Sequence, residues 1–167
     1  MNELTLRNRH PRQRVDLRRL RQIALAALLT EPPFAEEHAL HYELAVVLVG
    51  AAAMARMNGQ FLNHAGSTDV ITFDYGAPET AAAGAAWLRG DLFICLDDAR
   101  RQAREFRTSW PAELVRYLVH GLLHLRGYDD LTGAARRVMK REENRLVRRL
   151  AHRFALSELA LPAKVRP

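Results

Sequence analysis

The stretch from Tyr42 to Val49 (YELAVVLV) is nearly continuous in apolar and β-branched side chains. A segment with no polar face to offer water reads as a strand covered on both sides, which commits the chain to a sheet packed between other layers. Its neighbours supply those layers. Between Val15 and Thr30 apolar residues recur at helical spacing (Leu17, Leu20, Ala24, Ala27, Leu28), and Glu31-Pro32-Pro33 closes that helix, with a loop to about Ala39. Ala51 to Leu62 is alanine-rich and helical in spacing, and the polar run Asn63 to Ser67 leads into a strand from Thr68 to Tyr75.

Leu4 to Arg9 alternates as a short edge strand should, and Asp91 to Leu96 reads as a further strand opened by Gly90. Gly76 to Leu88, poor in large side chains, reads as a mobile excursion. Asp97 is placed to cap a helix ending near Phe106, Pro111 suits the first turn of the next, and Gly127 ends that one. Thr132 or Asp130 caps a last helix running to about Phe154. Strands separated by helices, then three helices in succession, define an α+β fold. The expectation is a single domain over residues 1–167, with a mixed sheet of about four strands and about five helices.

No run of eighteen apolar residues exists, and residues 1–10 lack the apolar core of a secretory signal, so a cytoplasmic protein without a membrane segment is expected. Cys95, the single cysteine, makes neither an internal disulfide nor a cysteine-built zinc site. In its apolar strand it reads as an inert buried thiol. The formal charge of +6 points to a polyanionic partner. Arginine far outnumbers the two lysines, which fits phosphate recognition and fits a GC-rich genome equally well. The last helix is dense in arginine, opposed by Glu142 and Glu143 alone.

Chemistry concentrates in residues 120–130, HGLLHLRGYDD. His120 and His124, four apart on a helix, lie about 40° apart around its axis and one turn along it, so both can face one ion. Gly127 permits the left-handed residue that turns the chain back, bringing Asp129 or Asp130 towards the pair. Two imidazoles and a carboxylate make a zinc site with an open position. The plainer reading is an ordinary histidine pair with Asp130 as a helix cap. Asp129 can act as proton acceptor, orient a ligand ring or merely cap, and Tyr128 is more a core aromatic than a donor. A zinc peptidase carries glutamate directly after the first histidine, where this chain has Gly121. That glycine serves close approach of substrate or close packing of a neighbouring element.

These residues resemble the YbeY endoribonuclease family, whose pattern His-Gly-x-Leu-His-Leu-x-Gly-Tyr-Asp-His is matched at every fixed position except the last, where Asp130 stands. Thr68-Asp69-Val70-Ile71-Thr72-Phe73 and Gly90-Asp91-Leu92-Phe93-Ile94-Cys95 are similar to two further family segments, so the resemblance spans about residues 42–150. It implies one zinc ion on His120, His124 and Asp130, and cleavage of single-stranded RNA at the 3′ end of small-subunit rRNA. It also implies a part in ribosome quality control, with rRNA and small ribosomal subunit components as partners. A carboxylate in place of the third imidazole adds negative charge, making bound water less acidic and admitting other divalent metals. Where the family has an arginine followed two residues later by a basic residue, this chain has Leu62 and His64. Substrate charge then falls to His64, Arg56, Arg89 or the basic last helix. A ribosome-associated binding protein with a structural metal is the alternative that Leu62 keeps open.

Overall fold

The computed structural model describes residues 2–29 and 40–163, so the loop expected around Pro32 and Pro33 lies outside the described residues. Among the described residues the order is β1 (Glu3–Asn8), α1 (Leu17–Leu29), β2 (Leu40–Val49), α2 (Ala51–Leu62), β3 (Val70–Asp74), β4 (Ala86–Cys95), α3 (Leu96–Phe106), α4 (Trp110–Leu125) and α5 (Gly133–Arg153). A short 3-10 helix, Leu156–Leu159, follows. The strands form one mixed sheet in the order β1-β2-β4-β3, with β1/β2 and β2/β4 parallel and β3/β4 antiparallel. This is the α+β fold with a four-stranded sheet and five helices that the sequence implies.

The two-residue period of a strand sorts the core into two layers. Leu44, Val46 and Leu48 of β2 and Leu88, Leu92 and Ile94 of β4 join α1 and α4 in the larger cluster. Val47, Val49, Ile71 and Cys95 point the other way and pack on Met54 of α2. The half of β2 from Val46 to Val49 is therefore buried on both faces, while its first residues are only partly covered.

The strand read as Asp91–Leu96 begins at Ala86 and ends at Cys95, so the expected excursion contributes three residues, Ala86 to Leu88, to the sheet. Gly90 hid this by imitating a turn. An added Cβ there would stand 2.2 Å from the Phe73 carbonyl oxygen and 2.9 Å from Leu125 Cδ2, so the glycine marks close approach of β3 and α4 instead. Asp97 does not cap α3. Cys95 Sγ accepts from the Asp98 amide, while Asp97 Oδ2 accepts from the Ala51 amide at the start of α2, 2.7 Å away. Burial pushes the Cys95 thiol up to about 11, as an inert thiol requires.

Helix α4 is apolar nearly all round, with Leu114, Val115, Leu118, Val119, Leu122, Leu123 and Leu125 buried, and it lies against the sheet between α3 and α5. One stripe escapes full burial: Arg116, His120 and His124, at successive i,i+4 positions. Gly121 faces the opposite way. A Cβ there would sit 2.4 Å from Leu92 Cδ2 and 3.2 Å from Thr72 Oγ1, so the structure assigns this glycine to packing of α4 on the sheet.

Candidate metal centre

The end of α4 shapes the site. Gly127 adopts φ +91°, and the Tyr128 amide reaches back to the Leu123 carbonyl at 3.1 Å, a glycine-terminated helix end that reverses the chain. The turn returns Asp130 to the exposed stripe of α4. Thr132 then caps α5 through the Ala135 amide. Asp130 is thus left uncommitted to capping, and Asp129 Oδ1 accepts from the Leu131 amide instead.

His120 Nε2 and His124 Nε2 stand 3.0 Å apart, and Asp130 Oδ2 is 3.9 Å from each. Among the described residues these three offer one donor atom apiece within 4.8 Å of one another. A triangle with those sides has a circumradius of about 2.1 Å, which matches zinc bonds to imidazole nitrogen and carboxylate oxygen.

The tautomers make the fit chemical as well as geometric. His124 Nδ1 lies 3.0 Å from the Tyr128 carbonyl, an acceptor, so this nitrogen carries the proton. His120 Nδ1 lies 3.0 Å from Glu143 Oε2. Burial alone would raise the Glu143 carboxyl, but hydrogen bonds from His120, Arg116 and Lys140 outweigh it and hold the pKa down at about 2. Glu143 is therefore an anion, and His120 donates to it through Nδ1. With Nδ1 of each ring donating, the two Nε2 atoms are turned towards each other across 3.0 Å, on the side where Asp130 stands, and are the nitrogens that would hold a cation.

Glu143 was not singled out by sequence reasoning, because a carboxylate on a basic helix looks like an ordinary surface partner. It is buried on the face of α5 that also carries Met139, Leu146, Val147 and Leu150, and that apolar stripe was the available signal. Its Oε1 accepts from Arg116 at 2.7 Å and Lys140 at 2.9 Å. An amide cannot reproduce three acceptor contacts, since its NH₂ end would confront a donor. Glu143→Gln is expected to weaken zinc binding by about 10- to 100-fold, measured by competition with a chromogenic chelator. Unchanged affinity would remove Glu143 from the site.

The remaining sequence candidates lie elsewhere. Arg89 alternates with Leu88 and Gly90, so it points to the α2 face of the sheet, where it pairs with Glu43 at 2.9 Å. Arg56 and His64 are exposed, on α2 and just beyond it. None of the three lines the groove of about 770 Å³ that opens from His120 and Asp130 between α3, α4 and α5. Asp69 does line it, while its Oδ1 holds the Val70 amide. Asp91 accepts from the Tyr75 hydroxyl on the α2 side. The Tyr128 ring packs on the main core, and only its carbonyl serves the centre.

The family model described as Endoribonuclease YbeY matches residues 5–151. A relative of that name from Anaeromyxobacter sp. is 40% identical over 143 residues, covering 86% of this chain and 69% of its own. Another, from Salinibacter ruber, is 34% identical over 144 residues, covering 84% and 87% respectively. The solution structure of TM1509 from Thermotoga maritima superposes with a TM-score of 0.59 over 90% of this chain and 91% of that one, at 22% identity, a likeness of fold. With the motif, the donor triangle and these matches together, the chain belongs to the YbeY endoribonuclease family.

Proposed function

We propose that this protein is a zinc-dependent endoribonuclease that cuts single-stranded RNA, in maturation of the small-subunit rRNA 3′ end and in ribosome quality control. Its partners are then rRNA and small ribosomal subunit components, and its place is the cytoplasm. Among the described residues no helix is long and apolar enough to cross a membrane. The observation that carries the reading is the grouping of two imidazole Nε2 atoms and a carboxylate oxygen within 4.8 Å of one another.

His120, His124 and Asp130 would hold the ion. When bound, a divalent cation supplies Lewis-acid polarisation of a phosphate and acidifies water. The chain's own groups do the rest. Glu143 and the Tyr128 carbonyl fix the two ring orientations, so the ligand nitrogens stay aimed without reorganisation. Asp129, exposed beside Asp130, takes the proton of the attacking water on the oxygen that the Leu131 amide leaves free. Gly121 turns its Cα towards Leu92, which leaves α4 without the peptidase glutamate at that position.

A binding role with a structural metal is favoured by one feature, the exposed apolar Leu62 in place of a cation. Chelation separates the two. Dialysis against EDTA is expected to lower cleavage of a labelled single-stranded RNA by at least about 100-fold, and one equivalent of zinc to restore it. Cleavage that survives full metal removal would end the metal-dependent reading. Tight RNA binding without cleavage in zinc would favour the binding role.

A further inference from the structure

We infer that the groove beside the metal centre is a track for a single strand of about three nucleotides, in which Arg136 and Arg137 clamp a phosphate near the metal end and Phe106 stacks a base at the far end. The inference rests on the endoribonuclease reading and assigns its substrate contacts.

The groove's floor is α4. From Glu113 to His120 the helix climbs about 10 Å at ~1.5 Å per residue, the length of about three stacked nucleotides at ~3.4 Å each. Its volume of about 770 Å³ accepts a strand in single file and has no room for a duplex. Four cations line it, but they are not equivalent. Arg116 and Lys140 share the single negative charge of Glu143, which holds both side chains in place. Arg136 and Arg137 have no carboxylate within ion-pair distance among the described residues, and both lie in the first turns of α5, just after Asp130. Uncompensated positive charge therefore flanks the metal end, where a phosphate next to the one being cut would lie.

The far end differs in character. The Thr108 hydroxyl bonds Glu113 Oε1 at 2.6 Å, which sets the α3–α4 turn, and with it Phe106, at the Glu113 end of the floor. Phe106 is 62% exposed, a large aromatic ring spent on solvent beside a cationic groove. Asp69 and, at the far end, Glu113 carry negative charge that repels phosphate, and on the floor between Glu113 and His120 lies Tyr117, whose buried hydroxyl has no protein partner. Phosphates then follow the α5 wall, while bases and 2′-hydroxyls turn to the floor.

The test is fluorescence anisotropy of a labelled ten-nucleotide single-stranded RNA in EDTA, so that binding is read without cleavage, across about 50 to 200 mM salt. R136A/R137A is expected to raise Kd by at least about tenfold and to reduce the slope of log K against log salt by about 0.7, the loss of the one phosphate that the pair clamps. Phe106→Ala is expected to raise Kd by about 5- to 30-fold with the slope unchanged, as stacking requires. R141A/R148A, which removes the same charge from α5 outside the groove, should change Kd less than about threefold. Equal losses in the two arginine pairs, wild-type binding by Phe106→Ala, or equal affinity for a hairpin duplex would each overturn the track. All substituted side chains are exposed, and unchanged melting temperatures verify folding. Cleavage in zinc distinguishes the two levels: wild-type KM in R136A/R137A overturns the groove assignment alone. Tight, groove-dependent binding by a wild type that never cuts overturns the endoribonuclease reading alone.

Discussion

His124→Ala is expected to purify with less than about a tenth of the wild-type zinc and to cut single-stranded RNA at least about 1,000-fold more slowly, a barrier rise of about 4 kcal/mol. Two of the triangle's three sides end on His124 Nε2, so its loss leaves His120 and Asp130 as a pair 3.9 Å apart. A two-donor site holds zinc far more weakly than a three-donor site. The variant should still fold. His124 is partly exposed, so its truncation leaves no closed cavity in the core. Circular dichroism and metal analysis on the same preparation separate loss of ligand from loss of fold. Asp130→Ala should lose metal too, whereas Asp129→Ala should keep it, because the Asp129 carboxylate is turned to the Leu131 amide. Full zinc content in His124→Ala, or loss of zinc in Asp129→Ala with retention in Asp130→Ala, would show the donor set to be misassigned.

Gly90→Ala is expected to destabilise the protein by at least about 3 kcal/mol, read as a lowered urea midpoint. The obstacle is backbone. A new Cβ at 2.2 Å from the Phe73 carbonyl oxygen cannot be relieved by a side-chain rotation, and the adjoining Tyr75 amide to Arg89 carbonyl bond holds the two strands in place. Separating them would unzip β3, the strand that lies beneath α4. Gly121→Ala provides the contrast. There the blocking atoms belong to side chains, Leu92 Cδ2 and Cγ and Thr72 Oγ1, and alanine regains about 1 kcal/mol of helix propensity, so a loss of under about 2 kcal/mol is expected. A Gly90→Ala midpoint equal to wild type would mean that β3 and β4 do not approach as closely as described.

The candidate metal centre was legible because its parts are local. Two histidines one helical turn apart, a glycine that stops the helix and an aspartate three residues on are all set by short-range geometry. The choice between Asp129 and Asp130 was not, since it depends on which carboxylate the Leu131 amide captures. Glu143 was invisible for a longer-range reason: its partner His120 lies 23 residues away, and only the docking of α5 on α4 brings them together. The first half of β4 was lost because its glycine answers to a neighbouring strand and helix rather than to a turn. Asp97 was misread in the same way, spent on the start of α2, 46 residues distant, when the nearer helix seemed its natural client.

With an ion held by His120, His124 and Asp130, the Glu143 carboxylate, gripping the His120 ring on one helix while seated on another, would make ion capture and the anchoring of α5 two sides of one equilibrium. Whatever factor the ion contributes to holding α5 in place, the seated helix returns to the ion's affinity. A partner that levered α5 away from the body of the protein would thereby empty the centre without touching a single ligand.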